Sequence, residues 1–199
     1  MSSPSPKRPM TFRLATVNDA SHIANLINTA FRSEKTGQTW LYDEQEKRVD
    51  IVSEGLAEDL ILGKSSETIM LAGTLDSRIA ATCFLRRPDT TVPPPDHLQH
   101  VTPGSAWLGF LAVDPTLHSK GYGKDMLVEA ERFVQQEWKA TRLEFDFVHT
   151  RKELKEWYAK QGYKETGQKR PFFYGKDGRG ILADGLEMVV LGKDLRDAK

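Results

Sequence analysis

The sequence predicts a mixed α/β (α+β) domain, a central sheet with helices on both faces. Three observations predict it. Apolar residues recur at helical spacing in four separate stretches. Between them lie strand-length runs that are continuously apolar or alternate with period two. The order of these stretches is strand, two helices, hairpin, strand, helix, strand, helix, two strands, which suits a layered sandwich.

Taken in order, Phe12 to Ala15 reads as the first strand. Thr16-Val17-Asn18-Asp19 then supplies helix-capping side chains, and Ile23, Leu26, Ile27, Ala30 and Phe31 mark the apolar face of the helix that follows. After a polar loop at 32–42, Val49, Val52, Leu56 and Leu60 predict a second amphipathic helix. Thr68 to Leu75 and Arg78 to Arg87 form a hairpin around Asp76-Ser77. Pro88 to Pro103 is a loop, since Pro93-Pro94-Pro95 excludes regular structure. Ala106 to Val113 is almost entirely apolar, as a strand buried on both faces would be, and Asp114-Pro115 ends it. Met126, Leu127, Ala130, Phe133 and Val134 share a helix face from Gly123 onward. Leu143, Phe145 and Phe147 alternate with Glu144 and Asp146 in a strand with one apolar face. Leu154, Trp157 and Tyr158 share a late helix face, Tyr163 begins a short strand, and Leu186 to Leu191 makes the last. An aromatic and glycine-rich loop at 170–185 separates those two strands.

Composition narrows the function. The chain of 199 residues has the length of one domain, expected over 11–195, with 1–10 as a disordered lead-in. Lys plus Arg equals Asp plus Glu at 28 each, so the balance argues against a nucleic-acid or membrane-surface partner. Cys83, the single cysteine, sits in an apolar run and reads as an inert buried thiol. His97 and His100 lack the further ligands a metal site needs, and His22 reads as solvent-facing, so no metal is expected. No apolar stretch approaches the ~20 residues of a membrane span, and Met1 to Pro9 has no apolar core of a signal peptide. The expectation is a cytoplasmic protein.

The chemistry concentrates where the buried strand ends and a helix begins, from Leu111-Ala112-Val113 through His118-Ser119-Lys120-Gly121-Tyr122-Gly123-Lys124. A helix start offers unpaired N–H groups and the positive end of the helix dipole. Gly121 and Gly123 let backbone approach phosphate oxygens, and Lys120 and Lys124 add charge, so a phosphate or pyrophosphate is the expected ligand. A nucleoside-triphosphate loop would need glycine at 118 and Ser or Thr at 125, where His118 and Asp125 stand. A dinucleotide fingerprint would need glycine at 126, where Met126 stands.

The run Val113-Asp114-Pro115 followed by His118-x-x-Gly121-x-Gly123 resembles the acetyl-coenzyme A signature of the GNAT superfamily of N-acetyltransferases, with His118 at a position usually Gln or Arg. Glu156-Trp157-Tyr158-Ala159-Lys160-Gln161-Gly162-Tyr163 resembles its late Tyr-Glu-Lys-x-Gly-Phe element. Trp157-Tyr158, Gly162-Tyr163, Thr166-Gly167 and Arg170-Pro171-Phe172 resemble a subgroup of mostly uncharacterised members.

The resemblance implies a mostly antiparallel sheet splayed at the Val113 strand, with acetyl-CoA as cosubstrate. Leu111, Ala112 and Val113 would hold the pantetheine arm, and His118, Ser119, Lys120, Gly121, Tyr122, Gly123 and Lys124 the pyrophosphate. It implies direct acetyl transfer to a primary amine of a small molecule or peptide, with Tyr158 as general acid. On its own spacing Tyr158 is a core aromatic beside Leu154 and Trp157. The strand before Val113 carries no carboxylate, so Glu144 and Asp146 are the candidate bases; a solvated strand face explains them equally well. His149 is a weaker candidate, and Arg151 stands where the superfamily usually has an asparagine. Trp40, Tyr42, Phe172, Phe173 and Tyr174 would line an acceptor pocket or simply pack their loops. The alternative is a non-catalytic acyl-CoA-binding or protein-interaction domain with the same fold.

Overall fold

The computed structural model describes residues 7–31, 53–62, 67–89, 99–172 and 185–196. Seven strands form one sheet in the order β1-β2-β3-β4-β5-β7-β6. They are β1 (Thr11–Leu14), β2 (Thr68–Leu75), β3 (Arg78–Arg86), β4 (Ala106–Val113), β5 (Arg142–Val148), β6 (Lys164–Pro171) and β7 (Glu187–Asp194). Four helices accompany them: α1 (Ala20–Phe31), α2 (Glu54–Leu62), α3 (Tyr122–Trp138) and α4 (Lys152–Lys160).

Two apolar layers hold the helices to the sheet. On one face Ile23, Leu26 and Ile27 of α1 and Ala57 of α2 pack on Met70, Ala72 and Ala112. On the other, Met126, Leu127, Ala130 and Val134 of α3 and Tyr158 of α4 pack on Cys83, Leu108, Leu143, Phe145 and Phe147. The helical spacing of α1 and α3 thus marks their buried faces. In α2 it marks a different one: Leu56 is 39% exposed, and Ala57 takes the buried place, with Leu60 and Ile61 packed beside it. Val49 and Val52 lie outside the described residues. Strand β6 is longer than the short strand expected and takes in Arg170 and Pro171 of the expected loop.

Every neighbouring pair in the sheet is antiparallel except β4 and β5. That parallel pair meets only at Ala106–Leu143 and Trp107–Glu144. Beyond it, β4 continues beside β3 as far as Val113, and β5 stays paired with β7 to Val148. The strands therefore diverge toward their C-terminal ends and leave a wedge between them. A bulge marks the divergence: Thr82 opposes Ala112 but Phe84 opposes Gly109, so Phe110 and Leu111 share the place opposite Cys83. Phe110 holds a positive φ of 48° there. An extra residue in one strand bends it and sharpens its twist, which turns β4 away from β5. This explains why β4 is buried at Ala106–Leu108 and only half-buried at Gly109–Leu111, where burial on both faces was expected.

Residues 7–10, placed by the sequence in the lead-in, lie against the domain. Met10 is buried in the core layer of α3, and Tyr122 donates its hydroxyl to the Arg8 carbonyl at 3.2 Å.

Candidate active site

The wedge opens where β4 ends and α3 and α4 begin, so both helix starts face its mouth. Asp114 closes β4 by donating its N–H to Ala80 O at 2.9 Å. Its carboxylate then accepts from the Thr116 N–H at 2.9 Å and the Thr116 hydroxyl at 2.7 Å, starting a 3-10 turn over Pro115–Leu117. The Val-Asp-Pro sequence is thus a strand stop and a turn start, aimed at the loop that follows.

That loop takes left-handed backbone twice, at Ser119 (φ 62°) and Gly121 (φ 83°), before α3 starts at Tyr122. Left-handed residues in such a loop turn successive N–H groups toward one concave side, a geometry that receives anions. The first α-helical bond runs from the Asp125 N–H to Gly121 O at 3.1 Å, so the N–H groups before it are those a helix start leaves open. A Cβ added at Gly123 would touch Trp157 and Val113 at 3.7 Å, so this residue forms a narrow neck between α3, β4 and α4. Lys120 donates to Thr116 O at 3.2 Å, and Lys124 is exposed. His118 does not point outward: its Nε2 lies 3.1 Å from Val113 O, so the two expected cofactor contacts are joined to each other.

Tyr158 of α4 lies in the core layer shared with α3 and is 6% exposed. Its ring packs on Phe145 at 4.3 Å and Trp157 at 4.8 Å. Among the described residues its hydroxyl has no hydrogen-bond partner. Burial pushes its pKa above the ordinary phenol value; Cys83 adds to the rise and the Arg151 guanidinium opposes it. Arg151 carries a buried Nε with no hydrogen-bond partner among the described residues. Of the sequence's two readings of Tyr158, the packing one is what these contacts show. Cys83 is fully buried and its thiol is likewise pushed up by burial.

Glu144 and Asp146 project from the other face of β5, and that face is not solvated. Glu144 is 0% exposed. It accepts from the Thr102 N–H at 2.8 Å and from Arg142 Nε at 2.5 Å. Gly192 lies opposite Glu144 in β7, and a Cβ there would collide with that Arg142 guanidinium. Asp146 is half-buried and accepts from Arg170 Nη1 at 2.6 Å. Burial holds its pKa above the ordinary value, and the Arg170 charge offsets part of the rise. His149 is exposed and shares hydrogen bonds with the Glu187 backbone across β5 and β7. Sequence reasoning named Asp146 and Arg170 but did not link them. They lie 24 residues apart and meet because β7 sits between β5 and β6.

Residues 40, 42, 97, 173 and 174 lie outside the described set. His100 packs edge-on against Trp107 at 5.0 Å, and His22 is exposed on α1. No group of residues suited to a metal ion occurs among the described residues, nor any helix long and apolar enough to cross a membrane. A separate open groove of about 520 Å³ lies along α1, between Asn18, His22, Asn25, Ile79 and Asp114.

A strand wedge with a glycine-turned helix start at its mouth defines a class of acyl-transfer domain that takes an extended, phosphate-ended ligand. The chain belongs to the acetyltransferase (GNAT) family, whose family model matches residues 24–163. Solved structures share the fold. The PaiA N-acetyltransferase of Thermoplasma acidophilum, in complex with coenzyme A, is 16% identical with a TM-score of 0.63, covering 94% of this chain and 99% of its own. The structure of yncA from Salmonella typhimurium with its cofactor acetyl-CoA is 13% identical with a TM-score of 0.64, covering 96% and 97%. An N-acetyltransferase from Staphylococcus aureus Mu50 is 13% identical with a TM-score of 0.63, covering 95% and 100%. A comparison with curated proteins finds no match.

Proposed function

We propose that this protein is a cytoplasmic, acetyl-CoA-dependent N-acetyltransferase that transfers the acetyl group directly to a primary amine of a small molecule or peptide. The observation that carries the reading is the β4–β5 wedge, paired only at Ala106–Leu143 and Trp107–Glu144 and then open toward the glycine loop. The residues fit the cosubstrate. Beyond Trp107 the β5-facing edge of β4 has no strand partner among the described residues, which supports the reading that backbone groups of Leu111, Ala112 and Val113 bond an extended arm as an added strand would. Residues 118–124 take the pyrophosphate at the start of α3. The bound thioester supplies an acetyl group already activated for attack.

The remaining work belongs to the chain. The wedge orients the two reactants and excludes water, which lowers the barrier without an acyl-enzyme. Tyr158 keeps its proton because burial raises its pKa, and it delivers that proton to the departing sulfur. Asp146 receives the amine's proton. Of the two carboxylates it suits the role better, since Glu144 is sealed and spends both oxygens on Arg142 and Thr102.

A non-catalytic coenzyme A-binding domain is the second reading. The sealing of Glu144 favours it, because it removes one of the two candidate bases. Calorimetry with acetyl-CoA tests the binding common to both, beside a Gly123→Glu variant whose side chain would fill the neck against Trp157 and Val113. Binding that the variant loses, followed by thiol release with an amine panel, supports the enzyme. Binding without turnover across the panel supports the second reading, and no binding by folded wild type sinks both.

A further inference from the structure

The start of α3 is covered by a short strap, residues 7–10, that the glycine signature does not include. The strap is pinned at three points: Met10 in the core, the Arg8 carbonyl on the Tyr122 hydroxyl, and the Arg8 guanidinium on Asp76 in the β2–β3 turn. These anchors hold Lys7 over the glycine loop. Its Nζ lies 2.5 Å from Asp125 Oδ2 and 5.0 Å from the centre of the Tyr122 ring. It also lies 3.2 Å from where a Gly121 Cβ would stand, so its charge reaches the loop itself.

Asp125 gives this arrangement its meaning. A carboxylate in the first turn of a helix is favourable toward the helix dipole, but beside a phosphate loop it opposes the ligand's charge. Lys7 neutralises that carboxylate, and with Lys120 and Lys124 it surrounds the loop with three ammonium groups. An ammonium on a four-carbon stem can leave Asp125 for a neighbouring phosphate oxygen with no movement of the strap.

We propose that Lys7 is a phosphate ligand of coenzyme A, held at the glycine loop by the 7–10 strap. This rests on the coenzyme A reading given above. The phosphate it meets is either the pyrophosphate or the 3′-phosphate, and the chemistry is the same for both.

The test is calorimetry of the full chain with coenzyme A and with dephospho-coenzyme A, which lacks the 3′-phosphate. Lys7→Met should weaken coenzyme A binding by about 5- to 10-fold at low salt, with the gap narrowing as salt screens the charge. Lys7→Arg should keep the affinity within about 2-fold, since the charge remains. An equal loss with both ligands assigns Lys7 to the pyrophosphate; a loss with coenzyme A alone assigns it to the 3′-phosphate. Either supports the proposal. Lys139→Met, which removes an equal charge at the far end of α3, should bind as wild type does. Wild-type affinity in Lys7→Met, or a Lys139→Met loss as large as that of Lys7→Met, overturns the proposal. Failure of wild type to bind either ligand overturns the coenzyme A reading with it.

Discussion

Removing the Tyr158 hydroxyl separates catalysis from packing, because the two roles rest on different atoms. The ring packs on Phe145, Trp157 and Tyr163, and the residue is 6% exposed. The hydroxyl has no hydrogen-bond partner among the described residues. Tyr158→Phe keeps the ring and breaks no bond to a described residue, so unfolding free energy should change by less than about 0.5 kcal/mol. Tyr158→Ala empties the ring's site and should cost about 3–5 kcal/mol. Rate should follow the opposite order of sensitivity. General acids contribute roughly 10²–10⁴-fold. Burial raises this phenol above its ordinary value, while a thiol sits near pKa ~8.5, so proton transfer to sulfur is uphill and the low end applies. Tyr158→Phe should therefore lower kcat about 100-fold, close to 2.7 kcal/mol of barrier. Since the phenol stays protonated well past neutrality, the ratio of wild type to variant should be flat from about pH 6 to pH 9. Thiol release with an accepted amine measures the rate, and urea unfolding measures the stability. Undiminished kcat in Tyr158→Phe refutes the acid role; a stability loss of Tyr158→Ala size would show that the hydroxyl has a structural partner.

The carboxylates of β5 should behave differently from each other. Glu144→Ala strands a peptide N–H and the Arg142 Nε, and should destabilise by about 2–4 kcal/mol in urea unfolding; Glu144→Gln retaining kcat would confirm that it is not the base. For Asp146 the raised folded pKa means the folded state binds the proton more tightly than the unfolded state. Its contribution to stability is therefore present at acid pH and falls as pH rises above the ordinary carboxylate value of 3.8 and through the raised folded value. Asp146→Asn should remove that slope. If Asp146 is the base, it should also remove an acid limb of kcat/KM lying above the ordinary carboxylate range, and a pH profile unchanged in the variant would exclude the role.

Local pattern carried much of this fold. The faces of α1 and α3 follow from spacing that places Ile23, Leu26 and Ile27, or Met126, Leu127, Ala130 and Val134, on one side of a helix. The hairpin follows from Asp76-Ser77, a turn pair that takes left-handed backbone at both residues, and the strand stop follows from the Asp114 side chain, which bonds the backbone two residues on. Prediction failed where the answer depends on what packs across the sheet. Glu144 and Asp146 alternate with Leu143, Phe145 and Phe147 and look solvated, yet Val101, Trp107 and Val190 form a further apolar cluster on their own face of the sheet, Trp107 beside Glu144 and Val190 beside Asp146. Leu56 fits an amphipathic helix and is exposed, because the docking angle of α2 gives the contact to Ala57.

The sequence by itself determined the fold class and the glycine loop at the start of α3, because strand periodicity, turn chemistry and helix capping act within a few residues. Only the tertiary structure decided that β4 leaves β5 after Trp107, that Arg170 reaches Asp146, that Arg142 seals Glu144, and that Lys7 lies on the loop 114 positions later. The first follows the bulge at Phe110, the Arg170 contact follows the sheet order, and the sealing of Glu144 follows what covers its face; a contact between distant segments leaves no period in the sequence of either partner.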